Sequence, residues 1–463
     1  MTHAPTVRRS LAGGLVGALL AASALAALPV GPVLQAVVSY DNRPVPVDGV
    51  QVLASLPTLR MAVVRGDAAA LRRLATAPGV RGLAPDDAVQ LSSEDDNGDD
   101  GNGAYLASDG LGGRAGKDGA GAGVRVAVVD TGVSDTAALD RSSGRLVDAV
   151  DASRVGDVRT GGVYPDGYGH GTFMANLIAG GAARGTHGKN LGVAPGATVL
   201  VVRVATASGS TSLSRVLAGL DWVASHASQV DVANLSLSHV RPHDAYGPDP
   251  LTDGVEAVRN AGVTVVVSAG NKPGTVGDPG FDPRVLTVGA VDLGNGKVAP
   301  FSGSDTVQGV SKPDVVASGV DVLGLLPADS VIARASSTKH LPHGLFRGSG
   351  TSQATAIASA LAALFLAGHP EASPIQVKAS LRCAARDLRG QRDGAGLVRV
   401  ATTLCAGTDG QALDGSGDAS GEADFDANAW AANAWAANAW AANAWAANAW
   451  AANAWAGPEW GDS

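Results

Sequence analysis

A series of short apolar runs, separated by helix-patterned stretches, limits the folds open to this chain more than any other feature. Residues 124–129 are almost continuously apolar, and 198–204, 230–237, 263–267 and 286–291 read as strands in the same way. Between them, 212–224 sets Leu213, Val216, Leu217 and Leu220 at core spacing, and 253–260 reads as a helix closed by Gly262. A strand that is apolar on both faces is buried on both, and strands that alternate with helices pair in parallel. The expected fold class is α/β, with a mainly parallel sheet between helices. Functional groups in such sheets collect at the carboxyl ends of strands, and Asp130 and Asn271 both fall just past expected strand ends.

Four short stretches hold side chains suited to chemistry. Gly348-Ser349-Gly350-Thr351-Ser352-Gln353-Ala354 is a small-residue turn that runs into an apolar helix at 357–367, stopped by Gly368 and Pro370. That run is short and rich in Ala and Ser for a membrane span. A serine at the first turn of a helix faces backbone N–H groups and the positive dipole end. Glycines before it let a substrate approach, which suits a nucleophile with an oxyanion site beside it. The plainer reading of Ser352 is an N-cap. Asp130 alone is a strand-end cap or a metal ligand. His170 lies between Gly169 and Gly171 at the start of a small-residue helix over 173–179. A lone histidine is usually structural, but these glycines leave its ring open to a partner. Asn271, after Ser268-Ala269-Gly270, is commonly a turn residue, and its amide could also donate to an oxyanion.

Taken together, these stretches resemble the subtilisin-like serine peptidases, the subtilase or S8 family. The motifs are Val128-Val129-Asp130-Thr131-Gly132, Gly169-His170-Gly171-Thr172, Ser268-Ala269-Gly270-Asn271 and Gly350-Thr351-Ser352-Gln353-Ala354. They occur in the order Asp, His, Ser that subtilisin has. Gly192-Val193-Ala194-Pro195-Gly196-Ala197, Asn234-Leu235-Ser236-Leu237, Lys312-Pro313-Asp314-Val315-Val316-Ala317 and Gly394-Ala395-Gly396-Leu397-Val398 fit as well, so the resemblance covers about 105–405. It implies a three-layer subtilisin-like fold and peptide-bond hydrolysis through an acyl-enzyme. Asp130, His170 and Ser352 would be catalytic, and Asn271 would line the oxyanion hole. Ser236, Leu237, Ser238, Ala269 and Gly270 would bind the substrate chain. The chemistry needs no cofactor, and a structural calcium is frequent in the family, although no ligand set is identified in this sequence.

Several positions depart from the family pattern. Gln353 stands for the usual Met, Ala356 for a common Pro, and Phe173 and Asn176 for the usual His and Gly. Ser238-His239 stands where two glycines usually line the pocket, so a broad apolar P1 preference is not implied. An extra loop at 326–347 carries His340 and His343, whose spacing fits two surface histidines better than a metal site.

The rest of the chain suggests export and processing. Arg8 and Arg9 precede an apolar stretch at 11–28 with the small-x-small sequence Ala24-Leu25-Ala26, which reads as a signal peptide over 1–27. Residues 50–91 read as a small domain. Strands are expected at 50–53 and 60–64, and a helix capped by Asp67, with Leu71 and Leu74 on one face, is ended by Pro78-Gly79. By resemblance, 28–92 is an inhibitory, folding-assisting propeptide that acts on its own enzyme. Residues 93–104 form an acidic linker holding the processing site, without the ligand spacing of a calcium loop. The peptidase domain takes 105–406, followed by a Gly/Asp-rich linker at 407–426 and a tail at 457–463. Between these two, Ala-Asn-Ala-Trp-Ala repeats six times over 427–456. A five-residue period fits neither a helical nor a strand face, so the repeats read as low-complexity sequence or as glycan- or cell-wall-stacking tryptophans.

The net charge is −9, yet residues 1–92 carry 8 Arg against 5 Asp, a net of +3, which leaves −12 on the remainder. That argues against a nucleic-acid partner. Cys383 and Cys405 are expected to pair in an exported protein, the alternative being two buried thiols. The expected protein is a secreted, monomeric, self-processing serine endopeptidase acting on proteins or peptides. A non-catalytic surface scaffold that binds through the Trp repeats is the alternative. An esterase is disfavoured, since it would carry Gly-x-Ser-x-Gly and the order Ser, Asp, His.

Overall fold

The computed structural model describes residues 33–42, 46–92, 105–239, 249–307, 310–335 and 341–405. The expected signal segment, the acidic linker, His340, the Gly/Asp-rich linker, the Trp repeats and the tail lie outside them. The described chain divides into two compact units, the smaller running to Asp86 and including residues 249–250, the larger comprising residues 87–239 and 251–405.

The smaller unit is a four-stranded antiparallel sheet with one helix. Its strands are β1 (Leu34–Tyr40), β2 (Val50–Leu56), β3 (Met61–Gly66) and β4 (Val80–Pro85), in the order β2-β3-β1-β4. Asp67 caps helix α1 (Ala68–Ala75), its carboxylate accepting the Ala70 N–H at 2.7 Å. Leu71 and Leu74 turn inward onto Ala36, Val38, Ala62 and Val64. The central strand β1 has no counterpart in the sequence reading, because 34–40 lacks the alternation that marks a strand, although Gly31-Pro32 and Asp41-Asn42 flank it. The expected small domain at 50–91 therefore begins earlier and closes earlier. Residues 87–92 belong to the larger unit.

In the larger unit an eight-stranded sheet carries the parallel strands β6 (Arg125–Asp130), β7 (Leu146–Asp151), β8 (Thr198–Arg203), β10 (Val232–Leu235), β12 (Thr264–Ser268), β13 (Leu286–Asp292) and β17 (Val315–Ser318). The short β14 (Lys297–Val298) joins its edge antiparallel to β13. The order runs β14-β13-β12-β10-β6-β8-β7, with β17 also on β13. Both faces are covered, as apolar runs without alternation require. Val126, Val128, Val199, Val201, Val266 and Val288 face one helical layer formed by α2 (His170–Ala179) and α6 (Thr351–Gly368). On the opposite face α3 (Leu213–Ser225) comes so close that a Cβ on its Gly219 would lie 3.0 Å from Val202 and 3.8 Å from Val129.

Three elements differ from the sequence reading. The run 230–237 is not one strand, because it is interrupted at Ser236 before the short β11 (Leu237–Ser238). Helix α4 spans Pro250–Asn260 rather than 253–260. Helix α6 begins six residues before the apolar run and has 18 residues. By length and composition it could cross a membrane, but 83% of it is buried within the protein, which makes it a core helix. Near its far end α7 (Pro374–Ala384) carries Cys383, whose sulfur bonds Cys405 at 1.96 Å.

A buried charge cluster anchors α7 to the sheet. Lys312 and Lys378 donate to Asp314 at 2.8 and 2.9 Å, and Asp314 also accepts the Thr287 N–H at 2.8 Å. Burial alone would raise the Asp314 pKa, but the two ammonium groups outweigh it and hold the pKa at about 2. A carboxylate depressed in this way stabilises the fold above its ordinary value of 3.8, and that contribution is lost as the pH falls toward 2. Asp314→Asn leaves two buried lysines without their counter-charge. It is expected to cost about 3–5 kcal/mol in urea unfolding at pH 7. A loss below about 1 kcal/mol would show that the cluster contributes no more than a surface pair.

Candidate active site

The site residues are gathered by the carboxyl ends of strands and the amino ends of two helices. Asp130 is the last residue of β6 and is fully buried. Its Oδ1 accepts the Thr131 N–H at 2.8 Å, and both carboxylate oxygens lie 2.8 Å from His170 Nδ1. His170 is the first residue of α2, which starts three residues earlier than the sequence reading placed it. Gly171 permits the pairing, because a Cβ there would lie 2.2 Å from the Gly132 carbonyl and 3.1 Å from Asp130 Cβ. Asp166 fixes the turn before α2. Its buried carboxylate accepts the N–H groups of Tyr168, Gly169 and Thr172 at 3.0, 2.7 and 2.8 Å and the Thr172 hydroxyl at 2.8 Å. Sequence reasoning missed this residue; the available signal was an Asp placed to cap the turn that leads into the helix.

Burial pushes the His170 pKa down, but the charge and hydrogen bond of Asp130, with Asp166 behind it, outweigh burial and leave the imidazole above its ordinary 6.5. Its Nε2 is buried and has no hydrogen-bond partner among the described residues. A buried nitrogen left in this state costs about 1–3 kcal/mol, so it is poised to take a proton donor.

Ser352 is the second residue of α6 and is fully buried. The starts of the two helices are packed together. Phe173, one turn beyond His170, lies where a Cβ on Gly348 would meet its ring at 2.8 Å. Ser352 Oγ makes no hydrogen bond to the imidazole and donates to the Ser92 carbonyl at 2.7 Å and the Ser236 carbonyl at 3.1 Å. The Ser92 carbonyl oxygen also accepts the Ser352 N–H at 3.3 Å. Asn271 is oriented through its Oδ1, which accepts the Thr351 N–H and hydroxyl at 2.9 and 2.8 Å. Its Nδ2 is buried and has no partner among the described residues. Glycine at 350 keeps this corner open, since a Cβ would lie 2.7 Å from the Ser92 carbonyl oxygen and 3.3 Å from Asn271 Nδ2. A peptide carbonyl therefore rests against the serine hydroxyl and its N–H, with a free amide donor beside it.

The expected substrate residues frame that carbonyl. The Ser236 carbonyl accepts the Ser92 N–H at 3.2 Å. Strand β5 (Ala88–Leu91) pairs antiparallel with β11, Leu91 opposite Leu237 and Gln90 opposite Ser238. On its other side β5 pairs with β9 (Thr211–Ser212). Ala269 is buried, and Gly270 holds φ +87° in the turn before Asn271. Among the described residues no three His, Cys, Asp or Glu side chains are grouped to hold a metal ion.

Residues 121–407 match the profile of Peptidase S8, the subtilase family. The chain is 34% identical over 278 residues to serine protease AprX of Bacillus subtilis (strain 168), covering 57% of this chain and 61% of that protein. It is 34% identical over 283 residues to subtilisin Savinase of Lederbergia lenta, covering 60% of this chain and 90% of that one. The chain thus spans about three fifths of the length of AprX and most of Savinase. A crystal structure of fervidolysin from Fervidobacterium pennivorans, a keratinolytic enzyme related to subtilisin, matches with a TM-score of 0.62 at 23% identity, over 80% of this chain and 60% of that one. At that identity the likeness is one of fold. With a family profile over most of the sheet-bearing unit, a relative covered almost end to end and the same architecture, the chain belongs to the subtilase family.

Proposed function

We propose that the chain is a serine endopeptidase that hydrolyses peptide bonds through an acyl-enzyme and is made as an exported, self-processing zymogen. The observation that carries this reading is the peptide carbonyl held 2.7 Å from Ser352 Oγ, beside the unpaired Asn271 amide, in a chain that also braces a histidine with a buried carboxylate. Ser352 Oγ attacks the carbonyl carbon while His170 Nε2 takes its proton. Asp130 keeps the proton on Nδ1 and stabilises the imidazolium. The Ser352 N–H and Asn271 Nδ2 receive the oxyanion. His170 then protonates the leaving amine, and water repeats the steps to release the acid. The reaction draws on the chain's own side chains and one backbone N–H, and any bound calcium would serve the fold. The smaller unit and the strand after it act as the propeptide, an inhibitor within the same chain. A non-catalytic scaffold gains no support from a site in which Nε2 and Nδ2 are buried and unpaired, since a scaffold has no use for that cost.

A sulfonyl fluoride should add once, on Ser352, and abolish hydrolysis of a peptide substrate, as read by peptide mapping and rate. Full activity after complete labelling, or labelling at another residue, rejects the reading. Asn271→Ala removes a donor that acts on the developing oxyanion. It should lower kcat roughly 100- to 1000-fold with KM little changed. A change confined to KM would place Asn271 in ground-state binding instead.

His170 must be neutral to act as a base. Because its pKa lies above 6.5, kcat/KM should be low in acid, rise through a single limb centred above pH 6.5 and then level off. A limb centred well below pH 6 would contradict the Asp130–His170 pairing.

A further inference from the structure

We propose that the bond this chain cuts in itself is the Ser92–Ser93 peptide bond, and that Ser238 and Ser268 limit its P1 pocket to a side chain the size of serine. The proposal rests on the endopeptidase reading and adds the bond and the specificity to it. Residues 87–92 lie in the larger unit and are bound as a substrate strand would be, between β9 and β11. Their exposure alternates along the strand: Ala88 and Gln90 are exposed, Val89 is buried and Leu91 half-buried. At the end of this strand the Ser92 carbonyl is the group that faces Ser352 Oγ and the Ser352 N–H. No other peptide carbonyl among the described residues accepts both bonds.

The Ser92 side chain identifies the pocket. It is buried, and its hydroxyl lies 2.9 Å from Ser268 Oγ and 3.3 Å from Ser238 Oγ. Ser268 in turn donates to the Leu237 carbonyl at 3.2 Å. Ser238 and His239 stand where the family pattern usually has two glycines. Ser238 is 3% exposed, and a Cβ on Gly277 would lie 2.7 Å from Ser238 Cβ. A Cβ on Gly270 would lie 3.4 Å from Ser238 Oγ. The Ser238 hydroxymethyl therefore occupies the space between β11 and the turns at Gly270 and Gly277. A longer P1 side chain would have to displace it and would strand the paired hydroxyls. Val89, the other buried position of the bound strand, marks an apolar P4 contact.

The cleavage balances without a co-reactant other than water. Ser352 Oγ bonds the Ser92 carbonyl carbon, its proton passes to His170 Nε2, and the C–N bond to Ser93 breaks as that proton moves to the Ser93 nitrogen. Water then releases Ser92 with a free carboxylate.

The test uses the full chain and two readouts. Intact mass and N-terminal sequencing of the processed protein should give Ser93 as the new first residue. The processed enzyme should then be assayed on chromogenic anilides of the form Val-Gln-Leu-X. With X as Ser or Ala, kcat/KM should exceed that with X as Phe by about tenfold or more. Ser92→Phe should slow cleavage at this bond, and Ser238→Gly added to it should restore cleavage and shift the anilide preference toward Phe. A labelled, peptide-cleaving enzyme that begins at another residue, or that takes Phe as fast as Ser, overturns this proposal and leaves the endopeptidase reading standing. A chain that neither processes nor takes the sulfonyl fluoride overturns both. The anilide series on the wild type decides the pocket even if a variant fails to fold.

Discussion

Ser352→Ala is expected to lower kcat for peptide hydrolysis on the order of 10^6-fold and to leave the secreted chain at its unprocessed length. The size of the effect follows from the unity of the three groups: without the nucleophile, the imidazole and its carboxylate have nothing to activate. The variant should still fold. Ser352 Oγ donates to two carbonyls, but the Ser92 oxygen keeps the backbone N–H of residue 352, and the Ser236 oxygen keeps the Ser92 N–H. Neither is left buried and unpaired, so the stability cost is small beside the loss of rate. Intact mass with and without a sulfonyl fluoride, alongside circular dichroism, separates the two effects. A folded alanine variant that still removes its own N-terminal segment would show that a different group performs the cleavage.

Asp130→Asn should reduce kcat about 10^4-fold at neutral pH while KM changes little. Both Asp130 oxygens lie 2.8 Å from His170 Nδ1, so the carboxylate keeps a proton on that nitrogen and leaves Nε2 free to accept. The buried Thr131 N–H already holds Oδ1. An asparagine keeps its oxygen on that N–H and turns its amide toward the ring. Nδ1 must then accept, and the proton moves to Nε2, where it blocks general-base action. Loss of the charge that outweighs burial should also move the acid limb of kcat/KM to lower pH. The pH–rate profile checks both. A drop of less than tenfold, or a limb that stays in place, would mean that Asp130 is structural only.

The architecture was largely legible because it depends on short-range pattern. Continuous apolar runs at 124–129, 198–204, 263–267 and 286–291 can satisfy both faces only in a covered parallel sheet, and the structure has strands in each. Asp67 as a cap, with Leu71 and Leu74 on one face, required only the geometry of a single helix. The strand at Leu34–Tyr40 was missed because its partners lie 22 residues or more away in the register, Ser39 opposite Met61 being the nearest. Nothing local marks such a pairing. The break at Ser236 was missed for a related reason: Ser236 turns its carbonyl out of the ladder to meet Ser92 and Ser352.

By itself the sequence determined which side chains could do chemistry and in what order, since Asp130, His170, Asn271 and Ser352 each sit at or beside the end of a strand or helix whose glycines and small residues are written locally. Only the tertiary structure decided what those groups face. The carbonyl that meets Ser352 belongs to a residue 260 positions away, and the hydroxyls that close around its side chain come from 146 and 176 positions away. Asp166 is the local exception: it caps the turn before His170 through N–H groups three and six residues on. Local sequence fixes backbone dihedrals and side-chain chemistry. Burial, the pairing of a strand with a site and the size of a pocket depend on long-range packing, which no short window of residues encodes.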